Sequence, residues 1–184
     1  MRNDTAQITR QALLDAALVI LECERGEFTL EAVAAQARVS KGGLLHHFAT
    51  KRDLLRAVIS QHLEHHERWM AKACEQPGLN WTQAYVQAAF SSESVPVATM
   101  WALIAAVRVD ETLLEQVREA FKRWQQRLEE SGVPHGQALV VRFAIEGLAL
   151  SFLLDLAPPR ADGLLALRGI LETLAARVVD SAAT

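Results

Sequence analysis

The sequence predicts an all-α fold of about nine helices, with short ones gathered near the N-terminus and longer ones after residue 50. Three observations lead there. Apolar residues recur every three or four positions almost throughout the 184-residue chain. No sustained two-residue alternation of the kind that marks a strand occurs. Glycine and proline pairs, Pro77-Gly78 and Pro158-Pro159 among them, break the pattern between segments. With 51% hydrophobic and 22% charged residues, the composition is that of a globular chain with a proper core, in one or two domains.

The first helix is expected over 6–24, its inward stripe formed by Ile8, Leu13 or Ala12, Ala16, Ala17, Ile20 and Leu21, with Gly26 just past its end. Thr29 is placed to cap a short helix over 30–37 with Leu30, Val33, Ala34 and Ala37 inward. A turn at Arg38 and Val39 follows, and Ser40 is placed to cap a second short helix, 41–47. Thr50 opens a long helix to about residue 74, with Asp53 three residues on as in a capping box. Further helices are expected over 81–92, 96–108, 110–130, 135–156 and 162–179. This divides the chain into an N-terminal unit, 1–56, a connecting helix, 50–74, and a C-terminal unit, 75–184. No flexible linker separates them, so the long helix would carry motion from one to the other.

Several classes of function fall away at this stage. No apolar run reaches the roughly 18 residues of a membrane span. The polar start, MRNDTAQITR, is not a secretory signal, and Cys23 and Cys74 match no metal spacing, so a reducing, cytoplasmic setting without cofactor is expected. No Gly-rich phosphate loop, nucleophile elbow or defined pair of carboxylates points to an enzyme.

The formal net charge of −3 does not suggest nucleic acid, but the charge is unevenly placed. Within 38–56, Arg38, Lys41, Lys51, Arg52 and Arg56 face Asp53 alone, with His46 and His47 beside them. The stretch SKGGLLHHF, 40–48, sharpens this. Two glycines in the first turn of a short helix cost about 2 kcal/mol relative to alanine. Two short helices joined by a three- to four-residue turn form a helix-turn-helix, whose second helix enters the DNA major groove. At its start, bare N–H groups and the positive dipole end suit a phosphate, and Gly42 and Gly43 let the backbone approach closely. Leu44, Leu45 and Phe48 are expected to anchor this helix to the others.

FTLEAVAAQARVSKGGLLHHFATKRDLL, 28–55, resembles the N-terminal domain of the TetR family of bacterial transcriptional regulators. Thr29, Val33, Ala34, Ala37, Val39, Ser40, Lys41, Gly42, Leu44, His47, Phe48, Lys51 and Leu54 fall on that family's signature without a gap. The resemblance implies that Thr29, Ser40, Lys41, Gly42 and Lys51 contact the DNA backbone, and that Gly43, His46 and His47 lie at or near the groove. Three residues depart from the signature. Arg38 replaces the turn glycine, which implies a left-handed residue or a reshaped turn, and could add a phosphate contact; Leu45 replaces an aromatic; Gly43 offers no side chain to read a base. These departures leave open a helical interaction module that has lost DNA binding.

The resemblance also implies a ligand-responsive regulator, a repressor, acting as a homodimer on double-stranded operator DNA. In the C-terminal part, residues 138–156 are apolar almost all round and need cover on more than one side. Leu139, Phe143, Gly147, Leu150, Ser151 and Leu154, with Leu167, Leu171, Leu174 and Val178, are the expected dimer surface, half of a four-helix bundle. A small hydrophobic effector is expected among Trp69, Met100, Trp101, Phe121, Trp124 and Phe143, with Arg108, Arg142 and Glu146 as polar anchors. The alternative is a metal-responsive regulator: His62 and His66 share a helix face at metal-competent spacing with His65 adjacent, although on a long, largely exposed helix solvated histidines are the expected reading.

Overall fold

A computed structural model of the chain describes residues 2–22, 28–91, 103–104 and 110–176. Among the described residues every regular element is a helix: α1 (Arg2–Glu22), α2 (Leu30–Gln36), α3 (Lys41–His47), α4 (Lys51–Cys74), α5 (Trp81–Phe90), α6 (Glu111–Glu129), α7 (His135–Leu153) and α8 (Ala161–Ala175). Gly26 and most of the helix expected over 96–108 lie outside them.

Two compact units form, residues 1–62 with 102–116, and residues 63–101 with 117–184. The division falls inside α4, and α6 likewise begins in the first unit and ends in the second.

In the first unit α1 packs on α2 and α2 on α3. Their core is Leu13, Leu14, Ala16, Ala17, Val33, Ala34, Leu44 and Phe48, closed by Leu54, Val58 and Ile59 of α4. Ile8 is not part of it and stands 70% exposed, while Leu14 is fully buried. At about 100° per residue, Ile8 lies nearly opposite the Leu13–Leu14–Ala17 face, so only the C-terminal half of α1 has a stripe to bury. Leu45 is also corrected. It is 41% exposed, because in a two-turn helix anchored by Leu44 and Phe48, which share a face one turn apart, Leu45 is rotated about 100° away from that face.

In the second unit α5 packs on α7 and α8, and α7 on α8. Asn80 starts α5 with a full capping box with Gln83, and its Nδ2 donates to the Ala175 carbonyl at 2.9 Å, pinning the end of α8. Buried Thr82 and Ser131 hydroxyls meet at 2.8 Å. On α4, His62 at the end of the first unit and His66 in the second are 3% and 7% exposed, where a solvated face was expected. The apolar positions of α4 are too widely spread to leave that face free, so both rings lie in the packing.

Candidate functional site

The α2–turn–α3 segment is built from three local devices. The Thr29 Oγ1 accepts from the Ala32 N–H at 3.1 Å and starts α2. The helix ends with the Arg38 N–H on the Ala35 carbonyl at 3.1 Å and the Val39 N–H on the Ala34 carbonyl at 2.9 Å. That double closure needs a left-handed residue in between, and Arg38 supplies it at φ 55°. A side chain there costs about 1 kcal/mol, so Arg38→Gly is expected to raise unfolding stability by a similar amount in urea titrations. Finally, the Ser40 Oγ accepts from the Gly43 N–H at 3.1 Å and starts α3, leaving its own O–H to donate outward.

The two glycines of α3 are not equivalent. A Cβ on Gly42 would meet nothing within 4 Å, so this position is bare on an open surface. A Cβ on Gly43 would lie 2.8 Å from Val39 Cγ1 and 3.2 Å from Ser40 Oγ. The valine is stiff at χ1 and cannot swing clear. Gly43 is therefore demanded by the turn itself, and only Gly42 is left to be explained by something outside the chain. Gly42→Ala is expected to stabilise the fold by up to about 1 kcal/mol and to weaken operator binding, whereas Gly43→Ala is expected to gain no stability. Thermal unfolding and gel shift on both variants check the split; equal stabilisation by the two would refute it.

The charged residues divide in the same way. Lys41 Nζ pairs with Glu31 Oε1 of α2 at 2.5 Å, both side chains exposed, and the lysine's hydrogen bond holds the Glu31 carboxyl below its ordinary range. Arg52 is clamped on Asp110, with Nη2–Oδ1 at 3.0 Å and Nε–Oδ2 at 2.8 Å, and the same carboxylate caps α6. Arg56 reaches Asp53 at 3.6 Å. Among the described residues no carboxylate pairs with Arg38 or Lys51; the Lys51 ammonium instead lies 5.2 Å from the centre of the Phe28 ring. His46 is exposed and His47 half-buried, their rings edge to face at 5.6 Å. Ser40, Lys41, Gly42 and His46 are thus all exposed, on one turn and one short helix. Glu31 and Phe28 were missed as neighbours of the two lysines, since no spacing along the chain marks them.

A three-helix unit with an outward-facing helix start beside unpaired basic residues, followed by a second helical unit, is the make-up of a DNA-binding transcriptional regulator. The chain belongs to the TetR family: residues 13–58 match the family profile of bacterial regulatory proteins, tetR family, and residues 79–176 match the tetracyclin repressor-like C-terminal domain. No enzymatic family is indicated. Among solved structures, a transcriptional regulator from Rhodococcus sp. Rha1 superposes with TM-score 0.70 at 19% identity, over 90% of this chain and 93% of that one. A TetR family member from Streptomyces coelicolor A3 gives 0.59 at 22%, over 90% and 97%. The multidrug binding protein EbrR complexed with malachite green gives 0.59 at 24%, over 90% and 96%. No protein with a curated description matches the chain in sequence.

The effector candidates are scattered. Met100, Trp101 and Arg108 lie outside the described residues. Trp69 is half-buried. Phe121 and Arg142 line a groove of about 440 Å³ along α6, the guanidinium 5.8 Å from the Phe121 ring and 5.4 Å from that of Phe143. Arg142 also pairs with Glu146 at 2.7 Å, one turn on. Of the described candidates only Trp124 borders the larger cleft, about 700 Å³ between the ends of α4 and α6 and the start of α5. That cleft is not the apolar pocket expected: Arg68, Arg123, Arg127, Glu67 and Glu130 line it together with Trp81.

The histidines on α4 do not form a metal site. His66 lies tilted against Trp124, centroids 4.7 Å apart, and meets Tyr85 edge-on at 6.3 Å, while His65 faces solvent. Among the described residues no three potential ligands converge.

Of the residues expected at a dimer surface, those on α7 are exposed or half-buried, while those on α8 turn mostly inward. Gly136, Val140, Phe143 and Gly147 follow one another at helical spacing, all exposed, with Phe143 at 59%; Leu154 continues the line and Leu139, Leu150 and Ser151 flank it. By length and composition α7 is apolar enough to cross a membrane; here its other side packs on α5 and α8. On α8, Leu171 is 1% exposed and packs inside its own protomer, with Leu167 and Leu174 half-buried on the same side. Leu165 and Ile170, 70% and 59% exposed, form the outward face instead. Both faces of α8 are apolar, so spacing alone did not tell them apart. Val178 lies outside the described residues.

Proposed function

We propose that the chain is a repressor that binds double-stranded operator DNA as a homodimer and is released by a small-molecule effector taken up in its C-terminal unit. The observation that carries this reading is the open Gly42, a stability cost that nothing within the chain repays. A phosphate seated on the α3 N-terminus would use it, with Thr29, Ser40, Lys41 and Lys51 as further backbone contacts and Arg38 beside them. His46, His47 and Leu45 then face the groove. The exposed leucine suits a thymine methyl, in place of the aromatic that this position usually carries in the family.

A single recognition helix covers only a few base pairs, so two copies about one DNA turn apart are needed. The unpartnered stripe from Gly136 to Leu154, with Leu165 and Ile170, supports a four-helix dimer contact in the manner of other TetR proteins. Phe143→Asp is expected to give a monomer in sedimentation and to cut operator affinity at least about 100-fold, since two-site binding becomes one-site binding.

EbrR, which shares the fold, has been solved with imidazole and with malachite green, and this supports the uptake of a small molecule. Effector binding would favour a conformer in which α4 swings and the spacing of the two recognition helices no longer fits the operator. A cytoplasmic location goes with this role. Gel shift with the DNA upstream of the chain's own gene tests the reading; failure to bind at low salt, where phosphate contacts are strongest, overturns it.

A further inference from the structure

We propose that the cleft between the ends of α4 and α6 and the start of α5 binds an aromatic compound bearing a carboxylate. The inference rests on the reading that the C-terminal unit takes a small molecule, and adds the place and the chemistry.

The cleft lies within the second unit, and its volume of about 700 Å³ has room for more than one ring. Its own carboxylates are already engaged. Glu67 accepts from Arg123 Nη2 at 2.7 Å and Nε at 3.2 Å, and from the Trp124 indole N–H at 3.2 Å. Glu130 accepts from Gln126 at 3.0 Å. Two guanidiniums are left over. Arg68 spends only its Nε, on the Glu64 carbonyl at 3.2 Å. Arg127 lies over the Trp81 ring at 5.1 Å and, among the described residues, donates to no acceptor. A guanidinium on an aromatic face keeps its in-plane N–H donors, the ones that match a carboxylate. Its charge is felt inside the cleft, where burial pushes the Cys74 thiol up and Arg127 draws it back.

The ligand class follows from what the cleft accepts and refuses. A cation would meet a lining with a surplus of positive charge, three guanidiniums against two carboxylates. A purely apolar molecule would strip water from Arg68 and Arg127 without replacing those hydrogen bonds. A small anion alone would leave the half-buried Trp81 ring unused. A ring with a carboxylate uses both sets of groups.

The test is isothermal titration of the full-length protein with 2-naphthoate, its neutral isostere 2-naphthamide, and inorganic phosphate. Binding of the naphthoate is expected, with the amide and phosphate each at least about tenfold weaker, and with Arg68→Gln and Arg127→Gln each costing about tenfold at unchanged melting temperature. Equal affinity for the amide, equal affinity for phosphate, indifference to both substitutions, or no heat from naphthoate at millimolar concentration would each overturn the assignment. Operator release is read separately by gel shift. If naphthoate binds but the operator complex is unmoved, the cleft assignment stands and the effector reading fails; if another compound releases DNA while naphthoate is ignored, the reverse holds.

Discussion

Replacing Lys41 and Lys51 together by alanine is expected to weaken operator binding about 10,000-fold and to lower the slope of log K against log salt by about four, two phosphate contacts being lost in each protomer of the dimer. Each lysine flanks the open start of α3, one at its first residue and one at the start of α4. Each phosphate contact contributes a charge-assisted hydrogen bond worth about a factor of ten, and each neutralised phosphate releases about one counterion. Lys41 is not idle in the free protein, however. Its ammonium must leave Glu31, 2.5 Å away, or share it with the phosphate. Removing Lys41 therefore also uncovers a carboxylate beside the DNA, so this substitution should cost more than that of Lys51. The same argument has Glu31→Gln tighten binding and steepen the slope. A double lysine variant with wild-type affinity at low salt would remove α3 from the interface.

Lowering the pH from 6.5 to about 4 is expected to remove about 3 kcal/mol of folding stability through His66 alone. Burial against Trp124 and Tyr85 is the main cause that brings this imidazole down to about 4; neighbouring Glu67 pulls the other way, and His65 adds a smaller push downward. A histidine held neutral in the folded chain but free to charge at 6.5 in the unfolded one lets the unfolded state bind the extra proton in that window. Stability is therefore fully present above about 6.5 and is lost as the pH falls towards 4. A loss of that size is a large share of the 5–15 kcal/mol typical of a domain. His66→Phe keeps a ring in the same packing and removes the titration, so the stability of the wild type relative to the variant in urea unfolding should fall by about 3 kcal/mol over this range. Parallel pH profiles would show that His66 is not responsible.

The local devices were legible because each is a short-range contact with a fixed spacing. Thr29 and Ser40 as caps, and Arg38 as a strained residue at a helix end, all follow from backbone groups one to four residues away. Apolar periodicity likewise placed α4 to α8 within a few residues of where they lie.

What spacing could not give is which side of an element faces inward when both sides are apolar. Leu171 was placed on the wrong face for this reason; Ile8 and Leu45 lie off the buried stripe of their helices, and His62 and His66 were left in solvent. Gly42 and Gly43 are the sharpest case: adjacent and identical in the sequence, they differ only in that Val39 folds back over one of them. The cleft of Arg68, Trp81 and Arg127 depends likewise on three helices meeting, although the i, i+4 pair Arg123 and Arg127 on α6 was a signal in the sequence. By itself the sequence determined the helices, their caps and the family, because these rest on neighbours along the chain. Tertiary structure alone decided which glycine is bare, which charges are spent and which apolar face is left uncovered, because each depends on partners brought together only by packing.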